Sequence, residues 1–124
     1  MKYLLDTQIF LWWLNDDRKL KKSLHQVIED SNNSVYVSVV NAWEMSIKKK
    51  IGKLRLKAAL RTCFEKYNFE ILNINLSHIL ILDNLPLHHR DPFDRLLIAQ
   101  ANAEKLTLLT ADNKMKKYNV KILI

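Results

Sequence analysis

The chain has 124 residues, of which 48% are hydrophobic and 27% charged; this balance is typical of one globular domain, residues 1–124, and excludes a disordered or fibrous protein. Its single glycine, Gly52, excludes glycine-rich phosphate loops and dinucleotide turns, and its single cysteine, Cys63, excludes an internal disulfide or a thiolate zinc site. A net charge of +7, from 20 Lys and Arg against 13 Asp and Glu, favours a polyanionic partner such as nucleic acid.

Apolar runs along the chain are too short for a membrane span. Residues 1–5 could begin a signal peptide, but Asp6 interrupts them. The next apolar run, residues 9–14, is far below the roughly 18 residues that a span needs. We therefore expect a cytoplasmic protein with no membrane partner.

Short apolar strands alternate with helical segments from one end of the chain to the other. In chain order, the pattern predicts strand 2–5, helices 7–14 and 18–29, strand 35–38, helices 41–50 and 57–67, strand 69–74, helices 77–82 and 92–103, strand 107–110, a short helix 113–117 and strand 120–124. Because the strands are almost continuously apolar and separated by helices, we expect an α/β fold, a parallel sheet flanked by helices on both faces.

Several helix ends carry residues typical of caps. Asp16 or Asp17 is positioned to cap the helix over 18–29, and Ser77 the helix over 77–82. Asp91 followed by Pro92 is typical of a helix start, with Asp at the cap and Pro at the first helical position. Gly52 is expected to end the helix over 41–50.

Four acidic residues are the candidates for a site. Asp6, Glu44 and Asp112 follow predicted strands, and Asp94 opens the helix that precedes the strand over 107–110. Sites in parallel α/β sheets form beyond the carboxyl ends of the strands, so these side chains are expected to converge. Four carboxylates in one crevice repel each other unless a cation compensates them. Oxygen ligands of this kind suit Mg²⁺ or Mn²⁺, whose bound water can attack a phosphodiester.

Three of these acids also have a purely structural interpretation. Asn41 and Glu44 fit a capping box, Asp94 occupies a position where the helix dipole favours an acid, and Asp112 could cap the following helix. Asp6 has no comparable structural role in the sequence pattern, which makes it the strongest single candidate.

The motifs around these acids occur in a fixed order along the chain. They lie at residues 4–7 with 10–14, at 37–38 with 42–45 and 53–54, at 89–101, which includes Asp-Pro-Phe-Asp-Arg, and at 109–112. In these motifs the chain resembles the PIN-domain ribonucleases, and among them the VapC toxins of VapBC-type toxin–antitoxin systems. The resemblance covers essentially the whole chain. It departs from the family pattern at Gln8, where His is frequent, and at Asn41, where a small residue is common.

The resemblance implies a site and a biochemical role. It assigns metal binding and catalysis to Asp6, Glu44, Asp94 and Asp112, and hydrogen bonds to the carboxylates or to a water to Thr7, Ser38 and Thr110. It also implies a PIN-like parallel-sheet fold, Mg²⁺- or Mn²⁺-dependent endoribonuclease activity on an RNA substrate, a homodimer and inhibition by a cognate antitoxin. Asp91 is interpreted as a helix cap and not as a ligand.

Basic residues cluster after Glu44 and are candidates for RNA phosphate contacts. The candidate residues are Lys48, Lys49, Lys50 and Lys53, with Arg95 as a weaker one. Lys48 lies one helical turn after Glu44, so the alternative is a salt bridge on a solvated rim. His88 and His89 are expected to contact a loop or RNA, because an oxygen-rich metal site needs no imidazole.

Other functions stay open at this point. A nucleic-acid-binding module without catalysis would use the basic cluster alone, and Asp6 argues against it. A metal-dependent DNase or an RNA-processing nuclease would share the same acids. The long basic surface makes a small-molecule phosphohydrolase a weaker alternative than an enzyme acting on a polymer.

Overall fold

The computed structural model describes residues 1–124 and contains five strands and six α-helices. The elements in chain order are β1 (Lys2–Leu5), α1 (Thr7–Leu14), α2 (Lys22–Glu29), β2 (Ser34–Ser38), α3 (Val39–Lys50), α4 (Leu60–Glu65), β3 (Glu70–Leu72), α5 (Leu76–Asp83), α6 (Pro92–Glu104), β4 (Thr107–Leu109), a 3-10 helix (Asn113–Lys117) and β5 (Ile122–Leu123).

All strand pairs are parallel, and the sheet order is β3-β2-β1-β4-β5. β1 lies in the middle, where Tyr3 pairs with Val35 of β2 on one side and with Thr107 of β4 on the other. The predicted α/β class and parallel sheet are confirmed. None of the helices combines the length and the apolar character needed to cross a membrane.

Two apolar cores lie on opposite faces of the sheet. Successive residues of a strand point to opposite faces, so Leu5 joins a core built with Phe10 and Phe64, while Leu4 joins a core built with Leu97. All five of these side chains are buried. Helices therefore cover both faces, as the apolar strands predict.

Four helix starts differ from the prediction. α3 begins at Val39, two residues before the predicted start, because Ser38 caps it. α2 begins at Lys22, because Asp17 uses its carboxylate to accept the Lys19 N–H in a turn and does not cap the helix. α5 begins at Leu76, because Asn75 and not Ser77 supplies the cap. α4 occupies only Leu60–Glu65 of the predicted 57–67. Two other predictions at helix ends are confirmed: Asp91 caps α6, and Gly52, with φ of +77°, follows the end of α3.

The sheet order brings distant chain segments to one edge. Leu5 pairs with Leu109, so Asp6 and Thr110 follow neighbouring strands. The Asp6 N–H donates to the Leu109 carbonyl at 3.0 Å, which fixes the two strand ends together. α3 begins directly after β2, and α6 packs against α3. The helices that carry the remaining acids therefore start beside this edge.

Candidate metal centre

A cleft of about 150 Å³ lies at the carboxyl edge of the sheet. All four predicted acids line it, together with Asp91 and a few neighbours; the acids are Asp6, Glu44, Asp94 and Asp112. They come from the end of β1, from α3, from the first turn of α6 and from the segment after β4. The structure therefore places close together side chains that are up to 106 positions apart in the sequence (112 − 6).

Asp6 has two roles at this edge. Its Oδ1 accepts the Ile9 N–H at 2.8 Å and caps α1, a structural role that the sequence analysis did not foresee. Burial raises the pKa of Asp6 from 3.8 to about 6, against the hydrogen bonds from Thr110 and Ile9. The charges of Glu44 and Asp112 also raise the pKa. Asp6 therefore caps a helix through Oδ1 and also lines the cleft.

Glu44 is 4% exposed and held at both oxygens. The Thr7 hydroxyl donates to Oε1 at 2.6 Å, and the Lys48 ammonium lies 2.7 Å from Oε2. The expected capping box of Asn41 with Glu44 is wrong, because Asn41 forms the box with Ser38 at the start of α3. Glu44 therefore has no capping role, and its burial has no explanation from helix formation.

Asp94 is the most strongly perturbed acid. Asp91 caps α6 by accepting the N–H groups of Phe93 and Asp94, at 2.9 and 3.2 Å. Burial raises the pKa of Asp94 from 3.8 to about 8, and the charges of Asp91 and of the other three cleft acids add to the increase. Ionising Asp94 without a bound cation is therefore costly, mainly because the carboxyl is buried.

Asp112 caps the 3-10 helix, as predicted. Its Oδ1 accepts the Lys114 N–H at 2.9 Å, and its own N–H donates to the Thr110 hydroxyl at 3.0 Å. Thr110 is fully buried between β4 and this cap. The structural interpretation of Asp112 is therefore confirmed, and its second oxygen, Oδ2, has a different partner.

That partner is His89, which the sequence analysis assigned to loop or RNA contacts. Its Nε2 lies 3.1 Å from Asp94 Oδ2 and 3.2 Å from Asp112 Oδ2, while its Nδ1 accepts the Asp91 N–H at 3.2 Å. The expectation that no imidazole takes part in the site is wrong in this respect. The only signal in the sequence was its place in the motif over residues 89–101, five positions before Asp94.

Two other predicted residues have different contacts from those expected. Ser38 donates its hydroxyl to Gln100 Oε1 at 2.6 Å and accepts the Val40 N–H, so it caps α3 and contacts no carboxylate. Arg95 donates to the Pro86 carbonyl at 2.7 Å and to the Tyr118 hydroxyl at 3.2 Å, which ties down the loop before α6. These bonds give Arg95 a structural role, and its weaker candidacy for RNA contact stays a prediction.

The lysine cluster divides into two groups. Lys48 pairs with Glu44; burial lowers the pKa of Lys48, but the hydrogen bond and charge of Glu44 outweigh this effect and raise it. Lys49, Lys50 and Lys53 are exposed and form no salt bridge. The structure therefore leaves three of the four predicted lysines free to meet a polyanion.

The donor set of the cleft fits a divalent cation. Five carboxylates, including Asp91, line it against one ammonium group, Lys48. Burial is the main cause of the raised pKa values of Asp6 and Asp94, and the charges of the neighbouring acids raise them further. An ion bound by oxygen ligands would offset this excess of negative charge, and Mg²⁺ and Mn²⁺ prefer such ligands.

Comparison with known proteins identifies the family model and the solved structures that this chain matches. A family model described as PIN domain matches residues 3–121. Among solved structures, VapBC2 from Rickettsia felis, bound to a DNA fragment from its promoter, is similar over 99% of this chain and 98% of its own, with a TM-score of 0.76 and 19% identity.

Two further structures are similar. VapBC-1 from nontypeable Haemophilus influenzae covers 99% of this chain and 97% of its own, with a TM-score of 0.70 and 18% identity. A toxin–antitoxin complex from Klebsiella pneumoniae covers 98% and 96%, with a TM-score of 0.68 and 22% identity. No curated protein sequence matches the chain.

Proposed function

The chain belongs to the PIN-domain family, and from this premise we propose that it is a metal-dependent endoribonuclease acting as the toxin of a toxin–antitoxin pair. One observation carries the proposal: four acids from distant segments meet in one cleft that has too little positive charge to compensate them. Residues 1–124 would work as one PIN domain.

The roles of the side chains follow from their surroundings. Asp6, Glu44 and Asp94 would hold Mg²⁺ or Mn²⁺, with Asp112 completing the set or binding a second, weaker ion. When bound, the ion would supply a water of lowered pKa and a positive charge beside a phosphodiester oxygen.

The residues around the acids limit how far the ligands can move. Thr7 and Lys48 hold the two oxygens of Glu44, so this carboxylate has a fixed orientation before any ion arrives. Asp91 fixes the first turn of α6 and with it the backbone of Asp94. Such positioning lowers the reorganisation that binding and catalysis would otherwise require.

RNA would approach over the exposed end of α3. Lys49 and Lys50 end α3, the helix that carries Glu44, and Lys53 follows it; all three are exposed. Contacts of these ammonium groups with phosphates would bring the backbone of a single strand towards the acids, and they carry no sequence preference of their own.

We also propose an antitoxin partner and a homodimer. The similar solved structures named above are toxin–antitoxin complexes, which supports the proposal of an antitoxin partner. A groove of about 260 Å³ between α1 and α4 shares Leu11 with the acid cleft, so a protein seated there would border the acids. The exposed apolar residues of α5, including Leu76 and Leu80, support a dimer in which a second copy covers them.

The proposed activity is tested with purified protein and a labelled single-stranded RNA. We expect cleavage in Mg²⁺ or Mn²⁺, none in EDTA, and recovery when either ion is added in excess. A single-stranded DNA of the same sequence separates the ribonuclease from the deoxyribonuclease alternative. Cleavage of RNA at the same rate in EDTA would refute the metal mechanism.

A further inference from the structure

His89 is the one imidazole in contact with the acid cleft. Its Nε2 lies between two carboxylates, 3.1 Å from Asp94 Oδ2 and 3.2 Å from Asp112 Oδ2. These groups lie within 4.8 Å of one another. Geometry alone would allow His89 to bind an ion directly or to hold the two acids by a hydrogen bond, and the other ring nitrogen distinguishes these roles.

The position of the ring proton follows from the contact at Nδ1. The Asp91 N–H donates to Nδ1 at 3.2 Å, so this nitrogen presents its lone pair and carries no proton. In the neutral ring the proton is then on Nε2, facing Asp94 and Asp112. Direct binding of an ion through Nε2 would move the proton to Nδ1 and set it against the N–H of Asp91. The ring is therefore arranged as a donor and not as a ligand.

The backbone around His89 is held independently of the acids. The Tyr118 hydroxyl accepts the N–H groups of His88 and His89, at 3.1 and 2.8 Å, and Arg95 donates to the same oxygen. Arg95 also binds the carbonyls of the loop before α6. The His89 side chain is only 13% exposed. The imidazole is therefore in place before any ion binds.

We propose that His89 is a positioning residue whose Nε2–H holds the carboxylates of Asp94 and Asp112 together for a divalent cation. This inference rests on the proposed function, because it assigns a role at the same metal site. Two carboxylates at this distance repel each other, and a shared N–H donor offsets the repulsion. Without it the acids separate, and ion binding must bring them back together, which weakens the affinity.

The first test reads the ring proton in the unmodified protein. Long-range ¹H–¹⁵N NMR of the imidazole, at pH 8 in EDTA and then in saturating Mg²⁺, reports which nitrogen is protonated. We expect the proton on Nε2 of His89 in both conditions. A proton on Nδ1 in place of Nε2, in either condition, would overturn the donor role and assign His89 as a ligand.

The second test measures Mn²⁺ affinity by calorimetry, without any cleavage readout. We expect His89→Ala to bind Mn²⁺ about 10–100-fold more weakly than the unmodified protein. His89→Gln should recover much of the loss, because its amide N–H reaches a position close to that of Nε2. The control is His25→Ala, since His25 lies on α2 beside Trp13 and does not touch the cleft acids or Tyr118; we expect unchanged affinity.

The outcomes separate this inference from the proposed function. If the unmodified protein binds Mn²⁺ and His89→Ala binds it equally or more tightly, the positioning role is wrong and the metal site stands. If the unmodified protein binds no divalent cation, both are wrong. Thermal unfolding in EDTA shows whether each variant is folded, and the NMR test, which needs no substitution, decides the donor role by itself.

Discussion

Substituting Asp94 by Asn should stabilise the protein in the absence of metal. The carboxyl of Asp94 has a pKa of about 8 in the folded protein, against 3.8 for an ordinary aspartate, chiefly because it is buried. The unfolded chain ionises it freely, so the folded state loses stability as the pH rises from about 4 to about 8. Asn keeps the shape and removes the charge. The stabilisation should therefore grow over that pH range and level off above it.

The magnitude follows from the same two pKa values. Each pH unit between them corresponds to about 1.4 kcal/mol, which gives an upper limit of roughly 6 kcal/mol at pH 9. The N–H of His89 offsets part of the cost of the charge, and the neighbouring acids can relax. We therefore expect a gain of about 2–3 kcal/mol, or roughly 8–12 °C in melting temperature for a chain of this length.

The assay is thermal and denaturant unfolding in EDTA at pH 5, 7 and 9, repeated in excess Mg²⁺. The control is Asp83→Asn, which removes one charge from an exposed residue at the end of α5 and should change stability by a few tenths of a kcal/mol. In Mg²⁺ the order should reverse, because only the unmodified protein gains stability from the ion. If Asp94→Asn is folded but no more stable than the unmodified protein at pH 9 in EDTA, the reasoning from buried charge is refuted.

Three further predictions concern activity and the loop. Asp6→Asn should keep the cap of α1 and the circular dichroism spectrum but lose cleavage of RNA; cleavage at the unmodified rate would remove Asp6 from the site. The triple variant Lys49→Ala, Lys50→Ala, Lys53→Ala should bind single-stranded RNA more weakly, with a salt slope smaller by about 2. An unchanged slope in binding titrations would assign these lysines to a solvated rim. Tyr118→Phe should loosen the loop before α6 and speed hydrogen exchange at its amides, while equal protection would contradict the bracing role.

The fold and the acids could be predicted because their signals are local. The apolar strands, the Asp91-Pro92 helix start and Gly52 each act within a few residues, and the structure confirms them. Asp6 was selected because it directly follows an apolar strand, and the structure places it in the cleft. Its second role, capping α1, could have been predicted from the same position, since an acid before a helix is typical of a cap.

The contacts that could not be predicted are between distant segments. His89 meets Asp112 across 23 positions, and Ser38 meets Gln100 across 62. Arg95 is a candidate for phosphate binding because of its charge, yet in the structure its guanidinium donates to a carbonyl of the loop before α6. No local sequence pattern predicts the path of that loop. A polar side chain can form equally good hydrogen bonds with several partners in the chain, and the packed fold determines which of them lies within reach.

The central place of β1 also determines when the cleft can exist during synthesis. β1 is made first, but one of its two neighbours is β4, so the middle of the sheet stays half paired until residues 107–109 are available. Asp112 follows later still, and a nascent chain on the ribosome therefore has only part of the acid set in place. If the chain acts as a toxin, its acid cleft is complete only after residues 107–112 have been translated and have folded. An antitoxin that is already present in the cell can therefore bind the chain as soon as the active site forms.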